Sequence, residues 1–140
     1  MTIALDTNVL IGAINEQGDY KTDQTLLVKV AEGKADGIIT ANSITDIYYI
    51  LRKRIGDTRT REAIWNLMAV FEVADVNAQI YAAALSSPMK DFEDAVLAFC
   101  ARKSGAEYIV TRDIGFIDEE NSPVKAVSPK EMLSFLEDNA

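Results

Sequence analysis

Four aspartates stand in equivalent places along the chain. Asp6 follows the apolar run "IAL", Asp46 lies in the first turn of the helix expected after "GIIT" at 37–40, Asp94 lies in the first turn of a helical stretch over 91–104, and Asp113 follows "EYIVT" at 107–111. Carboxylates gathered in a partly dry cleft repel one another and raise each other's pKa unless positive charge sits among them. A hard divalent cation, Mg2+ or Mn2+, suits such a place, because it takes oxygen ligands, keeps waters and shares its coordination with substrate phosphate. Such an ion lowers the pKa of the water it holds, and two ions about 4 Å apart clamp the attacking and leaving oxygens of a phosphodiester. The expected chemistry is hydrolysis that needs only acids, metal and water.

The rest of the composition narrows the field further. The 140-residue chain has no histidine, the usual general base, triad member and zinc ligand. No Gly-rich phosphate loop of the P-loop or dinucleotide type is present. Cys100 is the one cysteine, and its setting "LAFCA" points to a buried thiol. A net charge of -8 argues against holding nucleic acid by overall field, although the basic run "RKR" at 52–54 can still meet phosphates. With 49% hydrophobic residues and no long uncharged apolar stretch, one domain over 1–140 is expected, in the cytoplasm, with neither membrane spanning nor an export signal.

Elements that would position the acids follow from periodicity. Strands are expected at 2–5, 37–40, 70–76, 107–111 and 124–127. Helices are expected from Val9 onward, at 22–31, from Asn42 to a stop at Gly56, and at 59–69, 77–86, 91–104 and 129–136. Short β-branched strands alternating with helices make an α/β fold: a parallel sheet, joined by right-handed crossovers and covered on both faces. In such sheets the active crevice lies beyond the carboxyl ends of the strands, where all four aspartates fall.

Each acid also has a purely structural explanation. Asp6 or Asn8 can cap a helix, Ser43 with Asp46 fits a capping box, Asp91 caps the helix that carries Asp94, and Asp113 can open a turn. Capping needs one acceptor per helix, however. Ser43 or Asn42 and Asp91 can supply it, which frees Asp46 and Asp94 to point elsewhere.

"LDTNVLIG", "ANSITDIYYILRK" and "DFEDAVLAFCARKSGAEYIVTRDIGFI", in this order and spacing, resemble the PIN-domain ribonucleases, including the VapC-like toxins of toxin–antitoxin pairs. The resemblance covers nearly the whole chain. It implies a PIN-like three-layer domain with a five-stranded parallel sheet. It also implies an endoribonuclease site of Asp6, Asp46, Asp94 and Asp113 holding one or two Mg2+ or Mn2+ ions, with Asp91 and Glu93 close by. Family members often have Glu where this chain has Asp46, and some carry a further acid where it has Gly115. The partners implied are RNA, a small antitoxin protein and a second copy of the chain.

Around the acids, Thr7, Asn8, Ser43 and Thr111 either orient carboxylates and bind a phosphate oxygen or simply satisfy turns and caps. Arg112 is expected to pair with the scissile phosphate. Arg52, Lys53 and Arg54 either track the RNA backbone or complete a solvated helix end. Tyr49 is a candidate to stack on an unpaired base, while Tyr48 and Trp65 are assigned to the core. Two rivals differ in kind. A HAD-like phosphatase requires a second acid where this chain has Asn8, and a catalytically weak PIN-like module would use the same cleft only to bind RNA or protein.

Overall fold

The computed structural model describes residues 1–138, so the last two positions of the expected 1–140 domain lie outside the described residues. In chain order the elements are β1 (Thr2–Leu5), α1 (Thr7–Asn15), α2 (Tyr20–Ala31), β2 (Asp36–Thr40), α3 (Ala41–Ile55), α4 (Asp57–Val70) and β3 (Glu72–Ala74). They continue with α5 (Ala78–Ser86), α6 (Phe92–Lys103), β4 (Tyr108–Val110), α7 (Ile114–Ile117), β5 (Lys125–Val127) and α8 (Pro129–Asp138). All strand pairings are parallel, in the order β3-β2-β1-β4-β5. The expected α/β class and five-stranded parallel sheet are what the chain forms.

Period-2 alternation divides the core between the two faces of the sheet. Ile3, Leu5, Ile39, Val110 and Val127 pack with α1, α2, α3, α4 and α8, whereas Ala4, Ile38, Ile109 and Ala126 pack with α5, α6 and Phe116 of α7. Strand β1 is central. The chain runs from β1 out to β2 and β3 on one side, then returns to β4 and β5 on the other. The switch point therefore lies between β1 and β4, beside Asp6 and Asp113. There Leu5 is in register with Val110, and the Asp6 amide continues the ladder to the Val110 carbonyl at 2.9 Å. Among the described residues no helix is long and apolar enough to cross a membrane.

Several boundaries differ from the sequence expectation. Helix α1 begins at Thr7 rather than Val9 because Asp6 caps it. Helix α3 begins at Ala41 with Thr40 at its N-cap, so the expected Ser43–Asp46 capping box does not form, and Asp46 sits in the second turn. Strand β3 is only three residues long, since Val70 completes α4, and the one-turn α7 was not expected. Cys100 is buried, as its setting indicates, and donates its thiol to the Asp75 carbonyl at 3.7 Å.

Trp65 is a correction, because it is 72% exposed rather than in the core. The inward stripe of α4 is Thr60, Ile64, Leu67 and Phe71 at its C-cap, and Trp65 stands one residue, about 100° of helix, off that line. Tyr48 is likewise only half-buried, and its hydroxyl donates to Asp57 on α4.

Candidate functional site

Asp6 is fixed from three sides. Its Oδ1 accepts from the Thr7 amide at 2.8 Å, which caps α1, and its Oδ2 accepts from the Thr111 hydroxyl at 2.9 Å and the Asn8 side-chain amide at 3.4 Å. Asn8 Nδ2 also donates to Thr111 Oγ1 at 3.3 Å, while Asn8 Oδ1 accepts the Arg112 amide at 3.2 Å. Thr111 Oγ1 in turn accepts the Asp113 amide at 3.1 Å. The ends of β1 and β4 are thus joined by side chains as well as by the strand ladder. Ser43 instead bonds the Thr40 hydroxyl at 2.6 Å, both buried below the start of α3.

Asp6, Thr7, Asp46 and Asp94 line one small cleft together with Thr40, Asn42, Ser43, Glu93 and Leu97. Its volume is about 50 Å³, room for an ion with a few waters. Asp113 stands at the rim as the N-cap of α7, with Oδ1 accepting from the Gly115 amide at 2.9 Å. Its charge nevertheless reaches both Asp6 and Asp94. Asp91 is committed to capping α6, where Oδ1 accepts the Asp94 amide at 2.9 Å. Glu93, to which the sequence reading gave no role, lies in the cleft, and its charge reaches Asp6 and Asp94. The signal for it was its place beside Asp94 in the acidic first turn of α6.

Burial, reinforced by Asp91, Asp6, Asp113 and Glu93, pushes the Asp94 carboxyl up to about 7. Asp6 is raised as well. Burial is the main cause, opposed by the Thr111 hydroxyl and the Thr7 amide, and the charges of Asp113 and Glu93 add to the rise. Because folding raises these values, ionisation above pH 7 costs stability, and that cost fades as pH falls from 7 toward 3.8, the ordinary value for aspartate. The metal-free melting temperature should therefore rise between pH 8 and pH 5. The gain is about 1 kcal/mol once solvent screening of this half-exposed carboxyl is allowed for. Melting in EDTA across that range checks it, and a falling midpoint contradicts it.

The donor set suits a hard cation. It offers carboxylate, hydroxyl and amide oxygens, and Asn42 Oδ1 is buried in the cleft without a hydrogen-bond partner. Among the described residues no three acids already stand in the arrangement of a closed metal shell. The fit is therefore one of donor chemistry and charge, and the carboxylates must draw inward to close around an ion.

The cationic residues stand outside the cleft lining. Arg112, expected at the scissile phosphate, is not among the residues lining the cleft; its guanidinium pairs with buried Asp23 of α2, and Nη2 donates to the Gln17 carbonyl at 2.8 Å. Arg52 and Lys53 are exposed in the last turn of α3, with Arg52 lying 4.9 Å from the ring centroid of Tyr49, itself 55% exposed.

A PIN domain profile matches residues 2–115. No curated protein matches the sequence. Among solved structures, VapBC2 from Rickettsia felis, bound to a DNA fragment from its promoter, superposes with a TM-score of 0.70 at 18% identity, covering 91% of this chain and 98% of that one. Mycobacterium tuberculosis VapC20, a sarcin-ricin loop cleaving toxin, gives 0.67 at 18% identity over 81% and 92%. A toxin–antitoxin complex from Klebsiella pneumoniae gives 0.65 at 18% identity over 91% and 97%.

Proposed function

The chain belongs to the PIN domain family, and from that premise we propose that it is a Mg2+- or Mn2+-dependent endoribonuclease that hydrolyses RNA phosphodiester bonds. The observation that carries the reading is the convergence of Asp6, Asp46, Glu93 and Asp94 on one cleft at the carboxyl edge of the sheet, within reach of the Asp113 charge. Asp6, Asp94 and Asp113 would hold the ion, with Asp46 and Glu93 beside them. Once bound, the ion supplies Lewis acidity toward a phosphate oxygen and makes water a better nucleophile at neutral pH.

The chain's own groups prepare that place. Thr111 and Asn8 hold the Asp6 carboxylate in one orientation, and Asp91 fixes the backbone of Asp94 at the helix start. Leu97, apolar and buried, closes part of the cleft wall.

The likeness to VapC20 and to the toxin–antitoxin complex supports a further assignment: the toxin of a toxin–antitoxin pair, acting in the cytoplasm, restrained by a small antitoxin protein. Its assembly as a homodimer is carried over from the family resemblance, and its extent as one domain from length and composition.

Titration with Mn2+ tests the cation. At about 100 times its dissociation constant the ion should stabilise the fold by about 2.7 kcal/mol, and a melting temperature unmoved across the titration removes the metal from the reading. Incubation of the Mn2+-loaded protein with single-stranded RNA tests the chemistry. Shortened fragments are expected, and uncut RNA would leave a binding module.

A further inference from the structure

Arg112 lies between two residues of the candidate site, yet its side chain leaves in another direction. Its backbone amide donates to Asn8 Oδ1, its predecessor Thr111 donates to Asp6, and its successor Asp113 donates its amide back to Thr111. Its guanidinium lies against Gly12 of α1 and the turn that follows that helix. There it meets Asp23, which is 1% exposed and takes the guanidinium through Oδ2, and it bonds the Gln17 carbonyl.

The receiving surface is shaped for that group. Gly12 sits inside α1, where glycine is less favourable than alanine, and a Cβ there would overlap the guanidinium, with Nη1 only 2.6 Å away. The turn after α1 places Glu16 at φ 52 and Gly18 at φ 61, two left-handed residues on either side of Gln17, whose carbonyl takes the hydrogen bond. A non-glycine residue at positive φ is uncommon and needs surrounding structure to hold it.

We propose that Arg112 is a positioning residue: gripped by Asp23 and Gln17 against Gly12, it sets the Thr111–Asp113 segment and, through Thr111 and Asn8, the direction of the Asp6 carboxylate. One end of the residue is tied to the carboxylates through its backbone, and the other is anchored in α1 and α2. Partners of this kind, one step removed from a metal ligand, are worth about 10–100-fold in metal affinity. That second consequence rests on the proposed cation site, whereas the clamp itself does not.

The test separates the clamp from ordinary fold support. Replacing a buried ion pair by apolar residues of similar size is often neutral or stabilising, so Asp23→Leu with Arg112→Met should melt at or near the temperature of the unsubstituted protein. In metal-free hydrogen exchange, the amides of residues 112 and 113 should then lose at least about tenfold in protection relative to those of Ile109 and Val110. The Mn2+ dissociation constant, by calorimetry, should weaken about 10–100-fold. Unchanged protection together with a dissociation constant within about twofold would overturn the proposal, because a purely structural pair is fully replaced by apolar packing. Gly12→Ala, which keeps both charges and displaces the guanidinium, is read in the same way should the paired variant fail to fold. If the unsubstituted protein takes up no Mn2+, the cation reading fails, and the exchange data alone decide the clamp.

Discussion

Asp94→Asn should abolish RNA cleavage while leaving a protein that melts higher than the original when metal is absent. Asparagine preserves the size of the side chain and the backbone amide that Asp91 caps, so α6 keeps its start. What disappears is one of the charges crowded with Asp91, Asp6, Asp113 and Glu93; burial, reinforced by that crowding, raises Asp94 to about 7. Losing an ion ligand should lower kcat/KM by more than about 100-fold, since partners one step removed from such a ligand are themselves worth 10–100-fold. Removing the repulsion should raise metal-free stability at pH 8 by about 1 kcal/mol after screening, and should flatten the pH dependence between 8 and 5. Cleavage assays with Mn2+ and melts in EDTA read the two halves. Retained cleavage refutes the assignment, and a lowered melting point at pH 8 refutes the electrostatic account.

The largest effect on folding should come from Arg112→Ala. It strands the Asp23 carboxylate, 1% exposed, without its counter-charge, and breaking one side of a buried pair costs about 3–5 kcal/mol. The partners are not equivalent. The Arg112 side chain is 27% exposed, so in Asp23→Ala the freed guanidinium reaches water and the loss should be smaller, about 1–2 kcal/mol. Urea unfolding of the two single variants measures the difference. Equal losses would mean that the charge is not the source of the cost.

Where neighbouring residues decide a conformation, the sequence can be read directly. The acids placed just beyond β1 and β4, the Asp91 cap and the Gly105 stop of α6 all follow from local chemistry, and with them the shared edge of the sheet. Asp46 shows the limit. Its arrival in the cleft was readable, but the reason given was wrong, because Thr40 rather than Ser43 marks the start of α3 and Ser43 turns inward to the Thr40 hydroxyl. Trp65 misled for a different reason. Size and hydrophobicity favour burial, but the side of the helix on which a residue falls is set by Thr60, Ile64 and Leu67 packing together.

Arg112 could not have been placed from its neighbours at all. In "VTRDIG" it stands next to an acid, and phosphate is the natural first partner to consider. Its actual partner, Asp23, lies in a helix near the other end of the chain, and Gly12 there looks only like a weak helix former. Such a contact becomes visible once β1 and β4 are neighbours, since that pairing alone carries Arg112 to α1.

Parallel strands also leave an opposite edge that carries none of Asp6, Asp46, Asp94 and Asp113. Gly33 and Gly105 turn the chain there, each with open space around it, just before β2 and β4 begin. Ser104, exposed beside Gly105, is a place where one cysteine could take a fluorophore, because Cys100 is buried and would stay silent toward the dye. A label at that rim would report on tumbling and association from the far side of the molecule, with the carboxylate cleft left bare.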